Sequence, residues 1–229
     1  MSEKPLSEKP VAKKKKAAAK AGSDESLKEK VLAAALADAA FDGFTEKLLA
    51  GAAKRVGLTV EEVARLFPEG PLSLVEYYSL SADGEMEELL AAMDLKAMKV
   101  RERIAAAVLA RLAALEPHKE AARRAGAMLS LPVHAGLAAR LLYHSVDAMW
   151  RAVGDTSTDF NFYTKRGILA GVYGSTLLRW FNDTSEDEKV THEFLAARIE
   201  NVMQFEKFKA GAKKAFAKFP AFGEWGKKK

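Results

Sequence analysis

"GLTVEEVARLFPEG", residues 57–70, has the start and stop signals of a short helix. Thr59 and Glu62 have the spacing of a capping box, in which each side chain accepts a hydrogen bond from the other residue's backbone N–H. Pro68 then ends the helix. Two more helices are predicted before it, at about residues 27–41 and from behind Thr45 to near Gly57. Three short helices with tight turns predict a helix-turn-helix domain.

The remainder of the chain has helical periodicity and almost no period-two alternation, so the predicted class is all-α with nine to ten helices. The longest predicted helix runs from Glu85 to Leu115, with apolar residues at steps of three and four. Four further helices are predicted after Pro117, at about residues 119–130, 134–152, 160–181 and 186–206, the last capped by Ser185.

The charges divide the chain into three parts. Residues 1–30 carry nine Lys against five acidic residues and residues 206–229 carry eight against two, while the middle holds 19 basic and 24 acidic residues. We therefore predict a disordered lysine-rich tail at 1–26, a folded domain at 27–206 and a basic tail at 207–229. The chain has no cysteine, which excludes disulfides and thiolate chemistry.

The predicted helix-turn-helix is similar to the recognition region of TetR-type regulators, with "LFP" where those often carry "HFP". DNA affinity comes mainly from Lys and Arg that neutralise phosphates, yet residues 31–70 hold four basic and six acidic residues. We expect a TetR-like scaffold that does not bind nucleic acid. A TetR-type transcription regulator with a lipophilic effector is the alternative function.

Motifs for catalysis are absent from the sequence. No histidine follows a glutamate at Glu-x-x-His spacing, as a di-iron bundle requires, and there is no H-E-x-x-H, G-x-S-x-G or phosphate-binding glycine loop. His134 and His144 lie on apolar helix surfaces and are interpreted as core or interface residues. We expect no catalytic residue, metal or cofactor.

The segment "GDTSTDFNFYTKRGILAGVYGS", residues 154–175, places three glycines inside a predicted helix, where each costs about 1 kcal/mol relative to alanine. Gly167, Gly171 and Gly174 form one flat stripe. The stripe serves either tight helix packing or an elongated apolar ligand, and both interpretations stay open. Facing helices would supply an apolar lining from Leu131, Leu137, Leu141, Leu142 and Met149.

The start of the same helix carries a candidate interface. Asp159 can cap it, and the three aromatic residues within 160–163 are too close together to face one core. At least one ring points outward near Arg166, and aromatic residues with Arg are typical of interface hot spots. Ordinary core packing is the alternative.

Three stretches resemble the ubiquinone biosynthesis accessory family known as the ninth COQ protein: "LSLPVHAG", "SVDAMWRAVGDTSTDFNFYTKRGILAGVY" and "FLAARIENVMQFEK". The resemblance covers about residues 27–206. It implies a TetR-like fold, a homodimer, a pocket for isoprenoid quinone intermediates and other lipids, and a partnership with the di-iron demethoxyubiquinone hydroxylase. The protein would then be a non-catalytic adaptor.

Position by position, the resemblance places the partner-binding patch on Trp150, Asp159, Phe162, Tyr163 and Arg166. Many relatives have Trp where Phe162 stands. Together with the glycine stripe and its expected lining, the predicted lipid-binding set is Leu131, Pro132, Leu137, Leu141, Leu142, Met149, Gly167, Gly171, Val172 and Gly174.

The C-terminal tail alternates aromatic residues and lysines, a pattern typical of a segment that lies in a membrane interface. The predicted membrane residues are Phe208, Lys213, Lys214, Phe216, Lys218, Phe219, Phe222 and Trp225. The N-terminal tail lacks the character of a mitochondrial presequence. We expect a cytoplasmic protein, peripheral on the inner membrane of a bacterium.

Overall fold

The computed structural model describes residues 9–156 and 160–217. These residues form nine α-helices and no strand, which confirms the all-α class. The helices are α1 Lys9–Asp42, α2 Glu46–Val56, α3 Val60–Leu66, α4 Pro71–Ala91, α5 Val100–Leu115, α6 Lys119–Leu129, α7 Ala135–Ala152, α8 Phe160–Trp180 and α9 Lys189–Ala217.

The capping signals of α2 and α3 act as the sequence predicts. The Thr45 hydroxyl accepts a hydrogen bond from the Leu48 backbone N–H at 3.1 Å, and Gly57 ends α2 in a left-handed conformation with φ 80°. Thr59 and Glu62 form both bonds of the capping box, at 2.8 and 3.3 Å. The first helix packs against α2 and α6.

The first helix is longer than expected, because it begins at Lys9 and not near Leu27. Residues 9–26, expected as a disordered tail, are helical in the structure. Ala and Lys dominate "KPVAKKKKAAAKAG" and are among the best helix formers. A run of lysines therefore does not by itself predict the loss of helical structure.

The single helix predicted over 85–115 is wrong. The structure instead has α4, which the sequence did not indicate before Glu85, and α5, separated by a 3₁₀ turn at Leu95–Ala97. Met98 is extended, and the Glu102 carboxylate accepts a hydrogen bond from the Lys99 backbone N–H at 2.9 Å, which caps a new helix. The apolar spacing continued through this break and hid it.

The chain divides into two compact units. The first comprises residues up to Leu89 together with Ala110–Ser145, and the second comprises Leu90–Leu109 together with the residues from Val146 onward. Buried residues of the first unit include Leu49, Leu74, Val75 and Leu112, and those of the second include Val108, Met149, Trp180 and Leu195.

Among the described residues, no single helix is long and apolar enough to cross a membrane. One bent pair of helical segments, Val100–Leu129 with Pro132–Ala152, meets the requirement by length and composition.

Candidate functional site

The second unit contains a cavity of about 580 Å³, built by the start of α5, the end of α7, the first half of α8 and the α9 segment around Ile199. Its walls are mainly apolar, and its volume lies within the range of about 300–1,000 Å³ that is usual for small-ligand pockets. The described lining residues are Lys99, Val100, Arg101, Ile104, Trp150, Thr164, Lys165, Ile168, Leu169, Val172, Ile199, Val202 and Met203.

Burial varies around the cavity and shows which side is open. Ile104, Leu169 and Val172 are buried, whereas Val100 is 58% exposed and Lys99 is also exposed. The open side is therefore the N-terminal end of α5. The sequence missed most of this lining, because pairs such as Val100 and Ile104 have the i,i+4 spacing of ordinary core residues.

A buried ion cluster joins the end of α7 to the first turns of α8. The Arg166 guanidinium donates to Asp147 at 2.6 Å and lies 3.4 Å from the Asp155 carboxylate. It also stacks on the Phe162 ring, 3.4 Å from its centroid. Arg166, which we expected in an exposed patch, is only 3% exposed. It is a buried residue that positions Phe162.

Lys165 connects this cluster to the cavity. Its ammonium donates to Asp155 at 2.8 Å and lies 5.3 Å from the centroid of the Trp150 ring. Trp150, predicted as a partner-binding residue, lines the cavity. The aromatic wall is therefore held in place by a cation on α8.

The predicted interface is partly visible at the start of α8. Tyr163 is 69% exposed and packs edge-on against Phe162, with 5.1 Å between ring centroids. This agrees with the expectation that at least one ring points outward. Asp159 lies outside the described residues.

The glycine stripe is open. A Cβ added at Gly167, Gly171 or Gly174 would meet no heavy atom within 4 Å, apart from the helix's own neighbouring backbone. Tight packing against another described segment therefore does not explain these glycines. They are also absent from the described cavity lining. The stripe and Tyr163 lie on α8 at helical spacing.

The other predicted lipid-binding residues are spread over the chain. Val172 lines the cavity, and Met149 is fully buried. In the first unit, Leu141 is buried, Leu131 and Pro132 are exposed, and Leu137 and Leu142 are half-buried. Among the described lining residues, only Val172 comes from the predicted lipid-binding set.

The described part of the C-terminal tail continues α9 to Ala217. Phe205 is 61% exposed and Phe208 is 74% exposed. Lys213, Lys214 and Phe216 are within the last turns of the helix, and the remaining predicted membrane residues lie outside the described residues: Lys218, Phe219, Phe222 and Trp225.

The two histidines interpreted as core or interface residues have protein partners. His134 Nδ1 lies 2.9 Å from the Met128 carbonyl, and His144 Nδ1 lies 2.9 Å from buried Asp83, which also accepts from Arg111 at 2.6 Å. Within residues 9–156 and 160–217, no group of three His, Asp or Glu side chains could hold a metal ion.

Comparison with known proteins identifies relatives of this chain. Residues 135–206 match the COQ9 family model. The mitochondrial ubiquinone biosynthesis proteins COQ9 of Bos taurus and Homo sapiens are 32% identical over 188 residues, which cover 79% of this chain and 59% of each relative. The COQ9 protein of Drosophila melanogaster is 30% identical over 200 residues, covering 82% of the chain and 59% of the relative. The chain thus spans less than two thirds of the length of these relatives.

The fold also has a solved counterpart. A TetR transcriptional regulator from Nitrosomonas europaea matches with a TM-score of 0.60 over 76% of this chain and 95% of that one, at 19% identity. At this identity the likeness concerns the fold. Residues 135–206 therefore form a COQ9-family domain, and the chain that carries it has a TetR-like helical fold.

Proposed function

We propose that this protein is a non-catalytic, lipid-binding accessory factor of ubiquinone biosynthesis, which binds isoprenoid quinone intermediates and presents them to the demethoxyubiquinone hydroxylase. One observation carries the proposal: an apolar cavity and an exposed aromatic surface share the first turns of α8. Thr164 and Lys165 line the cavity, and Tyr163, the preceding residue, is exposed. The names of the related COQ9 proteins support the pathway.

The cavity is large enough for part of the isoprenoid chain of such a ligand but not for the whole molecule. A volume of about 580 Å³ holds a small-molecule-sized portion, so the first isoprene units would occupy the apolar interior. The head would remain on the open side, at the N-terminal end of α5. Extraction from the bilayer replaces lipid contacts by contacts with Ile168, Leu169 and other lining residues, and no bond is broken.

The partner surface would be centred on Tyr163, with Phe162 held behind it by Arg166. Tyrosine supplies large contact area with few rotatable bonds, which is why it is common at interface hot spots. The open glycine stripe next along α8 would let a partner helix approach closely. The di-iron hydroxylase would bring the metal, which is consistent with a cavity lined by no described acid or histidine.

We further propose a homodimer that attaches to the cytoplasmic face of the inner membrane of a bacterium through its C-terminal tail. Exposed Phe205 and Phe208 support the attachment, because an apolar ring gains by entering the lipid interface.

The charges on α3 support the proposal over the regulator alternative. Glu61 is exposed and negatively charged at neutral pH, and hydrogen bonds from its own backbone N–H and from Thr59 lower the pKa of its carboxyl further. Arg65, the only base of this helix, pairs with Asp24. A negative helix with an occupied arginine is poorly suited to phosphates.

The partnership is tested by binding of the purified hydroxylase, measured by calorimetry, to Tyr163→Ala. Truncation of an aromatic residue at an interface centre typically costs about 2 kcal/mol, so affinity should fall roughly thirtyfold. Tyr143→Ala is the matched control, because Tyr143 is 48% exposed on α7. It should bind normally. Equal affinity of both variants and the parent would contradict this surface.

A further inference from the structure

The charged residues in the described lining of the cavity are all cationic. Its described lining contains the cations of Lys99, Arg101 and Lys165 and the neutral hydroxyl of Thr164, but no carboxylate. An uncharged lipid chain requires no such groups. Cations that border an apolar interior are instead suited to a ligand that carries a negative charge at one end.

Two of these cations, Lys99 and Arg101, are placed to bind a ligand. Lys165 already donates to the buried carboxylate of Asp155. The Lys99 ammonium makes no ion pair with any described residue, and the nearest described acid to Arg101 is Glu102, whose carboxylate is 3.9 Å away with both side chains about half exposed. That carboxylate also caps α5 through the Lys99 backbone N–H.

The position of Lys99 and Arg101 adds to their effect. They flank Val100, the first residue of α5, and a helix N-terminus carries a partial positive charge. All three residues are exposed on the open side of the cavity. An anionic group placed there would meet two mobile side-chain charges and the helix dipole, while its chain reached Ile104 and Leu169.

We propose that Lys99 and Arg101 form a head-group site for an anionic, single-chain amphiphile, with a carboxylate or phosphate at the entrance and the chain in the cavity. This inference rests on the proposed lipid-binding function and extends it, since it adds anionic single-chain lipids to the isoprenoid quinone intermediates that the cavity would hold. Charge-assisted hydrogen bonds from Lys and Arg to an oxyanion supply the selectivity.

The test compares oleate with oleyl alcohol, which share a chain and differ in head-group charge. Both displace Nile red from the full-length protein at pH 8 and low salt. Oleate should bind about tenfold more tightly than the alcohol, a difference reasonable for two partly exposed cations. The double variant Lys99→Gln, Arg101→Gln should reduce that ratio to about twofold without lowering the affinity for the alcohol.

Three matched measurements complete the test. Lys189→Gln with Arg198→Gln removes the same charge from exposed residues of α9 outside the lining and should keep the parent ratio. Glu102→Gln, which preserves a capping side chain, should raise the ratio. Acetate and inorganic phosphate should not displace the dye at millimolar concentration, because the chain supplies most of the affinity.

The test distinguishes failure of the head-group site from failure of lipid binding as a whole. A parent ratio near one, a ratio unchanged in the Lys99 and Arg101 double variant, or displacement by free phosphate alone would overturn the head-group site, although binding of the alcohol would leave the lipid-binding function standing. Failure of both oleate and the alcohol to bind would refute lipid binding in this cavity and the head-group site with it.

Discussion

At the scale of single residues, Arg166 shows where sequence reasoning reaches its limit. Neighbouring aromatic residues correctly predicted that one ring, Tyr163, points outward. The same segment placed Arg166 in an exposed patch, although it is buried. Its burial depends on Asp147 and Asp155, which lie 19 and 11 residues away in sequence and come together with it only in the folded chain.

Arg166→Leu should therefore destabilise the protein and not simply weaken a partner. Removal of one member of a buried ion cluster costs up to about 3–5 kcal/mol, and here it leaves the buried carboxylate of Asp155 with one cation fewer, although Lys165 still pairs with it. Urea unfolding followed by circular dichroism measures this loss. Arg151→Leu is the control, because Arg151 pairs with the same Asp147 but is 57% exposed, and its loss should cost less than about 1 kcal/mol. Equal midpoints for the two variants would show that Arg166 is not a buried anchor.

At the scale of helices, the sequence predicted those helix ends that capping residues, proline and glycine determine locally. The threonine caps gave the starts of α2 and α3, and Pro117 and the glycine positions gave several ends. The break between α4 and α5 was not predicted, because Met93 and Ala97 continue the apolar spacing of a single helix. The cavity was not predicted either, because it is assembled from four segments of the chain. The apolar residues of each segment have the spacing of ordinary core residues.

The glycine stripe of α8 yields a prediction about the helix itself. A Cβ at Gly171 meets nothing within 4 Å, so Gly171→Ala should stabilise the isolated protein by about 0.5–1 kcal/mol through helix propensity. Thermal unfolding measures the gain. Gly57→Ala is the opposing control, because Gly57 has φ 80° and a side chain there is strained. A loss of stability in Gly171→Ala would mean that the stripe is packed in solution.

The start of α9 has a built-in acid sensitivity. Hydrogen bonds from Ser185 and Thr191 hold the pKa of Asp183 well below its ordinary value of about 3.9. A carboxyl with a lowered folded-state pKa contributes stability that is complete above that ordinary value and is lost as the pH falls toward the folded-state pKa. Asp183→Asn should thus be less stable than the parent at pH 7, with the difference shrinking below about pH 4 in chemical unfolding. A difference independent of pH would contradict the role of this carboxylate.

At the scale of the whole molecule, helical periodicity predicted the all-α class and motif resemblance predicted the family, both of which the structure and the relatives confirm. The charge map assigned the basic character to the two ends of the chain. How far the helices extend into those ends was not predictable from charge, because Lys and Ala favour a helix even where the segment is strongly basic.

Membrane attachment by the C-terminal tail gives a prediction for the whole chain. Protein truncated after Phe205 should lose binding to anionic vesicles in a flotation assay, because it lacks the lysines that contribute about 1 kcal/mol each and the rings that enter the interface. Removal of residues 1–25, which also deletes lysines but no aromatic residue, is the control and should matter less. Equal flotation of the truncated and full-length chains would place attachment on the folded body.

The lipid-carrying cavity is the central claim, and native mass spectrometry of the protein purified from its own host, followed by lipid extraction, tests it most directly. Ile168→Trp fills the cavity, whereas Leu178→Trp adds the same ring at a position of α8 that is 67% exposed and outside the described lining. The parent and Leu178→Trp should carry a bound lipid with an isoprenoid component, and Ile168→Trp should lose most of it while remaining folded. Absence of lipid from the parent, or full occupancy in Ile168→Trp, would contradict the account.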